Sequence, residues 1–289
     1  MLATDDLIVG ANGYLGQYLA WARRGASCIL HSATSPTPLC ASTQLPFVRE
    51  DLCESWELLG RLNPATVHLL ARPVTQKAEV LLKFGENVQA LLREWAGRGC
   101  LKRVVFASTQ LVYATPPDEQ PIDVDFRLAP ETPYDFHKTA MEFFLQLLAR
   151  HPAQVRVEIY RLPLLAGRVP PGPMARPQFI YAWRDAYARG DSWRFEDAPP
   201  EAKRWGTSWA HVDDVVGLMQ RGPGPGGGAC RLVQPVSGGF SYWEMHQHLC
   251  GRYGTARTAQ GLHLPRTCFY LKDNAGLPAR PLEEALEDQ

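Results

Sequence analysis

Ten residues near the start of the chain constrain its fold most. Leu7-Ile8-Val9-Gly10-Ala11-Asn12-Gly13-Tyr14-Leu15-Gly16 runs an apolar strand into three glycines spaced three apart, and then into a helical pattern. Glycine lets the backbone turn sharply and lets a ligand approach without a Cβ in the way. The helix after the turn presents unpaired N–H groups and the positive end of its dipole to an anion. Together these make a cradle for a dinucleotide pyrophosphate, with Gly10, Asn12, Gly13, Tyr14, Leu15 and Gly16 as its candidate residues. A tight turn without a ligand also uses glycine, so the triad takes its meaning from the remainder of the chain.

Strand and helix patterns alternate regularly beyond the cradle. Gln17 to Arg24 reads as a helix ended by Gly25, and Ser27 to Leu30 as a second strand. Phe47-Val48 opens a third strand ending near Asp51, and Thr66 to Leu70 is a fourth. Val80 to Trp95 carries apolar residues at helical spacing and stops at Gly97, before a fifth strand over Arg103 to Ala107. A helix entered near Tyr134 runs to Leu148, and Val155 to Arg161 is a sixth strand. Strands with near-continuous apolar runs, alternating with helices, predict an α/β fold of the Rossmann type, a doubly wound parallel sheet covered on both faces.

After Arg161 the composition shifts to proline, glycine and aromatic residues, with a second break at Gly222-Pro223-Gly224-Pro225-Gly226-Gly227-Gly228. The expected division is a dinucleotide-binding domain over 1–162 and 206–234, with a smaller, loop-rich C-terminal substrate lobe over 163–205 and 235–289. Thirty basic and thirty acidic residues cancel, which removes any overall field toward nucleic acid or an anionic membrane. No apolar stretch reaches membrane-spanning length, and a first strand so near Met1 leaves no room for a leader, so a cytoplasmic protein is expected. Seven scattered cysteines suggest structural thiols rather than disulfides or a zinc site.

Thr109 falls just past the fifth strand, while Tyr134 and Lys138 lie four apart at the start of the next helix. That spacing puts phenol and ammonium on one helix face. A nearby cation and an oxidised nicotinamide together stabilise a phenolate and bring a tyrosine toward neutral titration. A surface Tyr–Lys pair has the same spacing, and the preceding glycine cradle favours the catalytic reading.

These motifs resemble the extended short-chain dehydrogenases/reductases, also called the NAD-dependent epimerase/dehydratase family. Gly10, Gly13 and Gly16 match the family's glycine motif. Val67-His68-Leu69-Leu70-Ala71 is similar to its fourth strand, and Asn87-Val88 to its "NV" helix. Ala107-Ser108-Thr109-Gln110-Leu111-Val112-Tyr113-Ala114 resembles "SS-(S/T)-x-x-VYG", and His211-Val212-Asp213-Asp214 matches "HVDD". The resemblance implies hydride transfer at a secondary alcohol or ketone. Tyr134 exchanges the proton with the substrate oxygen, Thr109 hydrogen-bonds that oxygen, and Lys138 holds the nicotinamide ribose. It further implies cofactor contacts at His31, Ser32, Asp51, Leu52, Leu70, Ala71, Asn87, Ala107 and Leu162, besides the cradle, Tyr134 and Lys138. Substrate contacts are expected at Arg72, Gln110, Arg204 and Trp205, and a homodimer is implied through the helices near 80–96 and 134–150.

Several departures narrow the choice. Gln110 and Leu111 occupy the places where the family's dehydratases carry an acidic pair, which predicts against dehydration. Pro163 stands shortly after Arg161, where nucleotide-sugar enzymes often carry an asparagine; Arg168, Arg176 or Arg204 remain to pair with a diphosphate or carboxylate. His31 and Ser32 replace the acidic residue that selects NAD, so the balance is toward NADP(H) over NAD. Trp183, Trp193, Trp205, Trp209, Phe179, Tyr181 and Phe195 either stack on a substrate or pack the lobe. His211, Asp213 and Asp214 read as a helix start rather than a metal site, and no metal is expected. Asp118, Glu119, Asp123 and Asp125 form either a substrate-facing flap or a solvated loop. The favoured function is an NAD(P)-dependent ketoreductase acting on a sugar-like or other small carbonyl compound. The alternatives are a nucleotide-sugar epimerase with tightly held NAD and a cofactor sensor without chemistry.

Overall fold

The computed structural model describes residues 2–73, 75–116, 121–168, 179–193, 195, 199–222, 229–254, 261–262 and 268–286. Arg176, Asp118, Glu119 and the proline–glycine run 223–228 lie outside the described residues. The first half alternates as expected: β1 (Leu2–Val9), α1 (Tyr14–Ala22), β2 (Cys28–Ser32), α2 (Pro38–Ser42), β3 (Phe47–Arg49), α3 (Glu57–Gly60), β4 (Leu62–Leu69), α4 (Ala78–Gly97), β5 (Arg103–Thr109), α5 (Pro133–Leu148) and β6 (Arg156–Leu162). The second half holds β7 (Leu164–Ala166), α6 (Phe179–Ala188), β8 (Ser192–Trp193), β9 (Gly206–His211), α7 (Val212–Arg221), β10 (Cys230–Val233), β11 (Gly238–Ser241), α8 (Tyr242–Tyr253), β12 (Gly261–Leu262), β13 (Cys268–Phe269) and α9 (Leu282–Leu286).

Seven strands form one parallel sheet in the order β10-β6-β5-β4-β1-β2-β3. The chain leaves β1 toward β2 and β3, then returns to β4 on the other side, so the order reverses between β1 and β4. Ligands of such sheets bind outside the carboxyl ends of the strands at this reversal. The glycines succeed β1 at that point.

Strand alternation divides the core between the two faces. Ile8, Leu30, Val105 and Ala107 pack on the α1 and α7 side, in one cluster with Trp193, Trp209 and Phe240. Leu7, Val9, Val67, Val104 and Phe106 pack on the other side against Val88 and Leu92 of α4 and Met141 and Leu145 of α5. Both faces are covered, which is why these strands are apolar almost throughout. β7 begins immediately after Pro163. β7 pairs with β9, and β9 lies between β11 and β13 in a second, four-stranded sheet.

Two strands start earlier than their apolar runs suggest. β1 and β4 pair from Leu2 with Leu62 onward, through Asp5, Asp6, Asn63 and Pro64. The carboxylate of Asp6 is buried but lies 3.3 Å from Arg23 and 3.4 Å from His68. Partners far away in the chain thus compensate a charge that interrupts the strand signal locally.

Candidate functional site

The turn after β1 is built to exclude side chains. Gly10 has φ +96°, and the N–H groups of Gly10 and Ala11 both donate to the carbonyl of His31 at 2.9 Å. A Cβ on Gly10 would stand 2.5 Å from the backbone nitrogen of Ala71, and one on Gly16 only 2.2 Å from the carbonyl oxygen of Gly10. Gly13 caps α1 and is exposed, which leaves the helix N-terminus open to a ligand. These features fit the pyrophosphate of a dinucleotide.

Side chains of the neighbouring cradle residues turn elsewhere. Asn12 bridges to the loop after β2, donating to the Thr34 hydroxyl and the Ser35 carbonyl at 2.8 Å each and accepting from the Thr37 N–H at 3.1 Å. Tyr14 and Leu15 are buried in the core, and the Tyr14 hydroxyl meets the Tyr181 hydroxyl at 3.0 Å. Only the backbone of these three residues can therefore serve a phosphate.

At the end of β2, His31 is buried with Nε2 2.8 Å from the carbonyl of Glu50, and burial lowers its pKa and keeps it neutral. Ser32 is half-buried and lies in register with Arg49 of β3, an exposed cation that sequence pattern does not single out. A strand of only three residues carries too little periodicity to show which positions share a face. Asp51 is exposed and accepts from the Cys53 N–H at 2.9 Å. Leu52 is buried, and its carbonyl accepts from the Asn87 side chain at 2.9 Å, which ties this loop to α4.

The start of α5 is set by a capping box. Thr132 accepts from the Asp135 N–H while the Asp135 carboxylate takes the Thr132 N–H at 3.0 Å, with Pro133 in the first turn. Tyr134 is thereby fixed in the first turn and Lys138 one turn later. The Lys138 ammonium is 2% exposed, donates to the Ala107 carbonyl at 2.8 Å and lies 5.8 Å from the Tyr134 ring centroid. Burial foremost, then the charge of Arg72, brings its pKa down to about 7, against the opposing pull of Glu142.

Thr109 ends β5 in register with buried Leu162, and caps a 3₁₀ turn by accepting from the Leu111 N–H at 3.3 Å. Its hydroxyl and the Arg72 guanidinium both favour the ionised form of the Tyr134 phenol. Arg72 also lies over the ring, 5.1 Å from its centroid. Burial nevertheless outweighs these cations and raises the Tyr134 pKa. The expected movement toward neutral titration joins a cation to an oxidised nicotinamide, and the protein groups by themselves do not produce it.

Beneath the site lies a buried ion pair. Arg161 donates to both oxygens of Glu142, and also to the Tyr113 hydroxyl and the Val124 carbonyl at 2.9 Å each. Ser108 donates to the same carboxylate. Glu142 stands four residues after Lys138 on α5, a spacing that could have revealed it.

Other expected substrate residues lie on the lobe side. Gln110 is buried, donates to the Thr207 hydroxyl of β9 at 2.9 Å, and leaves its own side-chain oxygen without a partner. Arg204 ends a 3₁₀ turn before β9, and half-buried Trp205 packs against the lobe core. The aromatics pack on one another: Trp183 lies 5.0 Å from Trp193 and 5.6 Å from Tyr242. His211 caps α7, and the aspartates occupy its first turn. Asp213 pairs with Arg168 and Asp214 with Arg280. Among the described residues there is no cluster of metal ligands. Asp123 and Asp125 are within an irregular loop, where Asp123 accepts from the Asp125 N–H.

A doubly wound parallel sheet, a glycine cradle at its reversal, and Thr109 at the end of β5 beside Tyr134 and Lys138 of α5 define an oxidoreductase-type enzyme of the short-chain dehydrogenase/reductase class. The family model for the NAD dependent epimerase/dehydratase family matches residues 7–221, and the chain belongs to that family. No curated protein sequence matches it. Among solved structures it is similar to MoeE5 in complex with UDP-glucuronic acid and NAD, with 22% identity, TM-score 0.77, and coverage of 98% of this chain and 96% of that one. UDP-glucose 4-epimerase from Thermotoga maritima with UDP-glucose is similar at 19% identity and TM-score 0.76, over 98% and 96%. TunA, an NAD-dependent NDP-hexosamine 5,6-dehydratase, is similar at 19% and 0.75, over 98% and 95%. The likeness thus extends to a dehydratase, and the fold gives no support to excluding dehydration. No helix among the described residues is long and apolar enough to cross a membrane.

Proposed function

We propose that the protein transfers hydride between NAD(P) and a secondary alcohol or ketone of a sugar-like or other small carbonyl compound, with reduction of the ketone as the favoured direction. The observation that carries this reading is the meeting of Thr109, Arg72 and Lys138 around the Tyr134 phenol. Leu70 and Ala71 abut Gly10, and the next residue, Arg72, lies on that phenol, so cradle and phenol are neighbours. The backbone of Gly10 to Gly16 would hold the pyrophosphate, Asp51 and Leu52 the adenosine end, and Lys138 the nicotinamide ribose. Bound nicotinamide supplies the hydride and, when oxidised, a positive charge that favours phenolate. Tyr134 gives its proton to the substrate oxygen on reduction and takes it back on oxidation. Thr109 donates to that oxygen and fixes its distance from the phenol.

Neutral His31, Ser32 and exposed Arg49 favour the phosphorylated cofactor, since none repels a 2′-phosphate and one attracts it. A second reading, a nucleotide-sugar epimerase, is favoured by neighbours that bind UDP-sugars along almost the whole chain. An epimerase should copurify with NAD and need none added, whereas a reductase should consume NADPH or NADH in proportion to product. In either case Tyr134→Phe should lower kcat about 10²- to 10⁴-fold. Unchanged turnover in that variant would remove the oxidoreductase reading.

The same fold presents an exposed apolar stripe on α5, Phe136, Ala140, Phe143 and Leu147, and α4 exposes Leu82. Its three large residues are 58%, 56% and 65% exposed, at a spacing that keeps one helix face. We propose that two copies meet there as a four-helix homodimer.

A further inference from the structure

We propose that Arg72 is a catalytic residue of this site, the permanent cation that stabilises the Tyr134 phenolate, rather than only a contact for the substrate. This deepens the oxidoreductase reading and rests on it for its purpose, although its test does not need turnover.

The position of Arg72 comes from the sheet. β4 ends at Leu69, Leu70 and Ala71 lie against Gly10, and Arg72 is the first residue free to turn toward α5. Its exposed guanidinium lies over the Tyr134 ring, 5.1 Å from the centroid, and its charge favours the phenolate. The second cation, Lys138, is spent differently. Its ammonium is held by the Ala107 carbonyl, lies over the Phe106 ring at 4.7 Å and is excluded from water. An ammonium so placed loses its proton readily, whereas a guanidinium keeps its charge at any physiological pH.

The other charged groups facing this pair are accounted for. Asp135 of α5 is engaged in the capping box with Thr132, and its charge still opposes the phenolate. Glu142 of α5 is neutralised by Arg161 of β6 and bonded by Ser108 of β5. From the end of β5 the neutral hydroxyl of Thr109 also favours the ionised phenol. Arg72 is therefore a permanent positive charge over the ring, at 5.1 Å from its centroid against 5.8 Å for the Lys138 ammonium. Proton balance is simple: the proton moves between Tyr134 Oη and the substrate oxygen, while Arg72 retains all of its own.

The test places a fluorinated tyrosine at position 134 of the full chain. Its more acidic phenol titrates where the fold survives, and its fluorine resonance reports on that position alone. The resonance is tracked against pH in the parent, Arg72→Gln and Arg72→Lys proteins. Loss of a cation at this distance should raise the titration midpoint by about one pH unit or more, with Arg72→Lys recovering much of the difference. A midpoint unmoved by Arg72→Gln, with only KM raised, would overturn the proposal and leave Arg72 as a substrate contact. Because no substrate is present in the titration, a protein without hydride transfer would refute the functional reading while leaving this result intact.

Discussion

Replacing Lys138 by methionine should abolish activity and yet stabilise the fold. A buried lysine whose pKa falls from 10.5 to about 7 opposes folding wherever the unfolded chain is protonated and the native one is not. At pH 7 or below the drop spans about 3.5 pH units, which at roughly 1.4 kcal/mol each is a penalty of about 5 kcal/mol. Solvent screening does not reduce it, because the side chain is 2% exposed. Methionine has similar length, no charge and enough freedom to fill the space. Its substitution orphans the Ala107 carbonyl, which returns about 1–3 kcal/mol. A net gain of about 2–4 kcal/mol remains at pH 7. Above pH 7 native Lys138 is neutral while the unfolded side chain is still charged, so wild-type stability rises toward pH 10.5 and the variant's advantage shrinks. Denaturant unfolding of both proteins at pH 7, 8 and 9 measures it, with the gap narrowing by roughly 1.4 kcal/mol per pH unit. A variant no more stable than wild type at pH 7, or a gap that does not change with pH, would refute the desolvated ammonium.

Three further outcomes test other parts of the structure. Gly16→Ala must move a Cβ placed 2.2 Å from the Gly10 carbonyl to an ordinary contact of at least 3.4 Å, so it should cost about 1–3 kcal/mol in thermal unfolding and weaken NAD(P)H binding in a fluorescence titration. His137, buried between α4 and α5, has its pKa lowered to about 4, mainly by burial and then by Lys138; stability present above pH 6.5 should fall by about 3 kcal/mol as pH drops to 4, and His137→Leu should show a flatter acid limb. The proposed homodimer predicts that Phe143→Asp, a charge in the α5 stripe at a position 56% exposed, sediments as a monomer while the parent sediments as a dimer, with little loss of monomer stability.

Local chemistry made much of the site legible. Helical spacing put Tyr134 and Lys138 on one face before any fold was known, and the glycine triad placed a helix N-terminus after β1. Asn12 and Tyr14 show where such reading stops. Their motif positions were plain, but which way each side chain turned depended on Thr34, Ser35 and Tyr181, all distant in the chain.

The amino-acid order alone determined the alternation of strands and helices, the turn that only glycine tolerates at φ +96°, and the pairing of a phenol with an ammonium one helical turn away. Steric limits and helical period act between residues close in sequence, so they can be read there. Tertiary structure decided the rest: that Arg72 lies over Tyr134, that Arg161 neutralises Glu142, and that Lys138 is dry enough to lose its charge near neutrality. Those are effects of desolvation and of charges brought together from separate strands, and they exist only once the sheet has assembled.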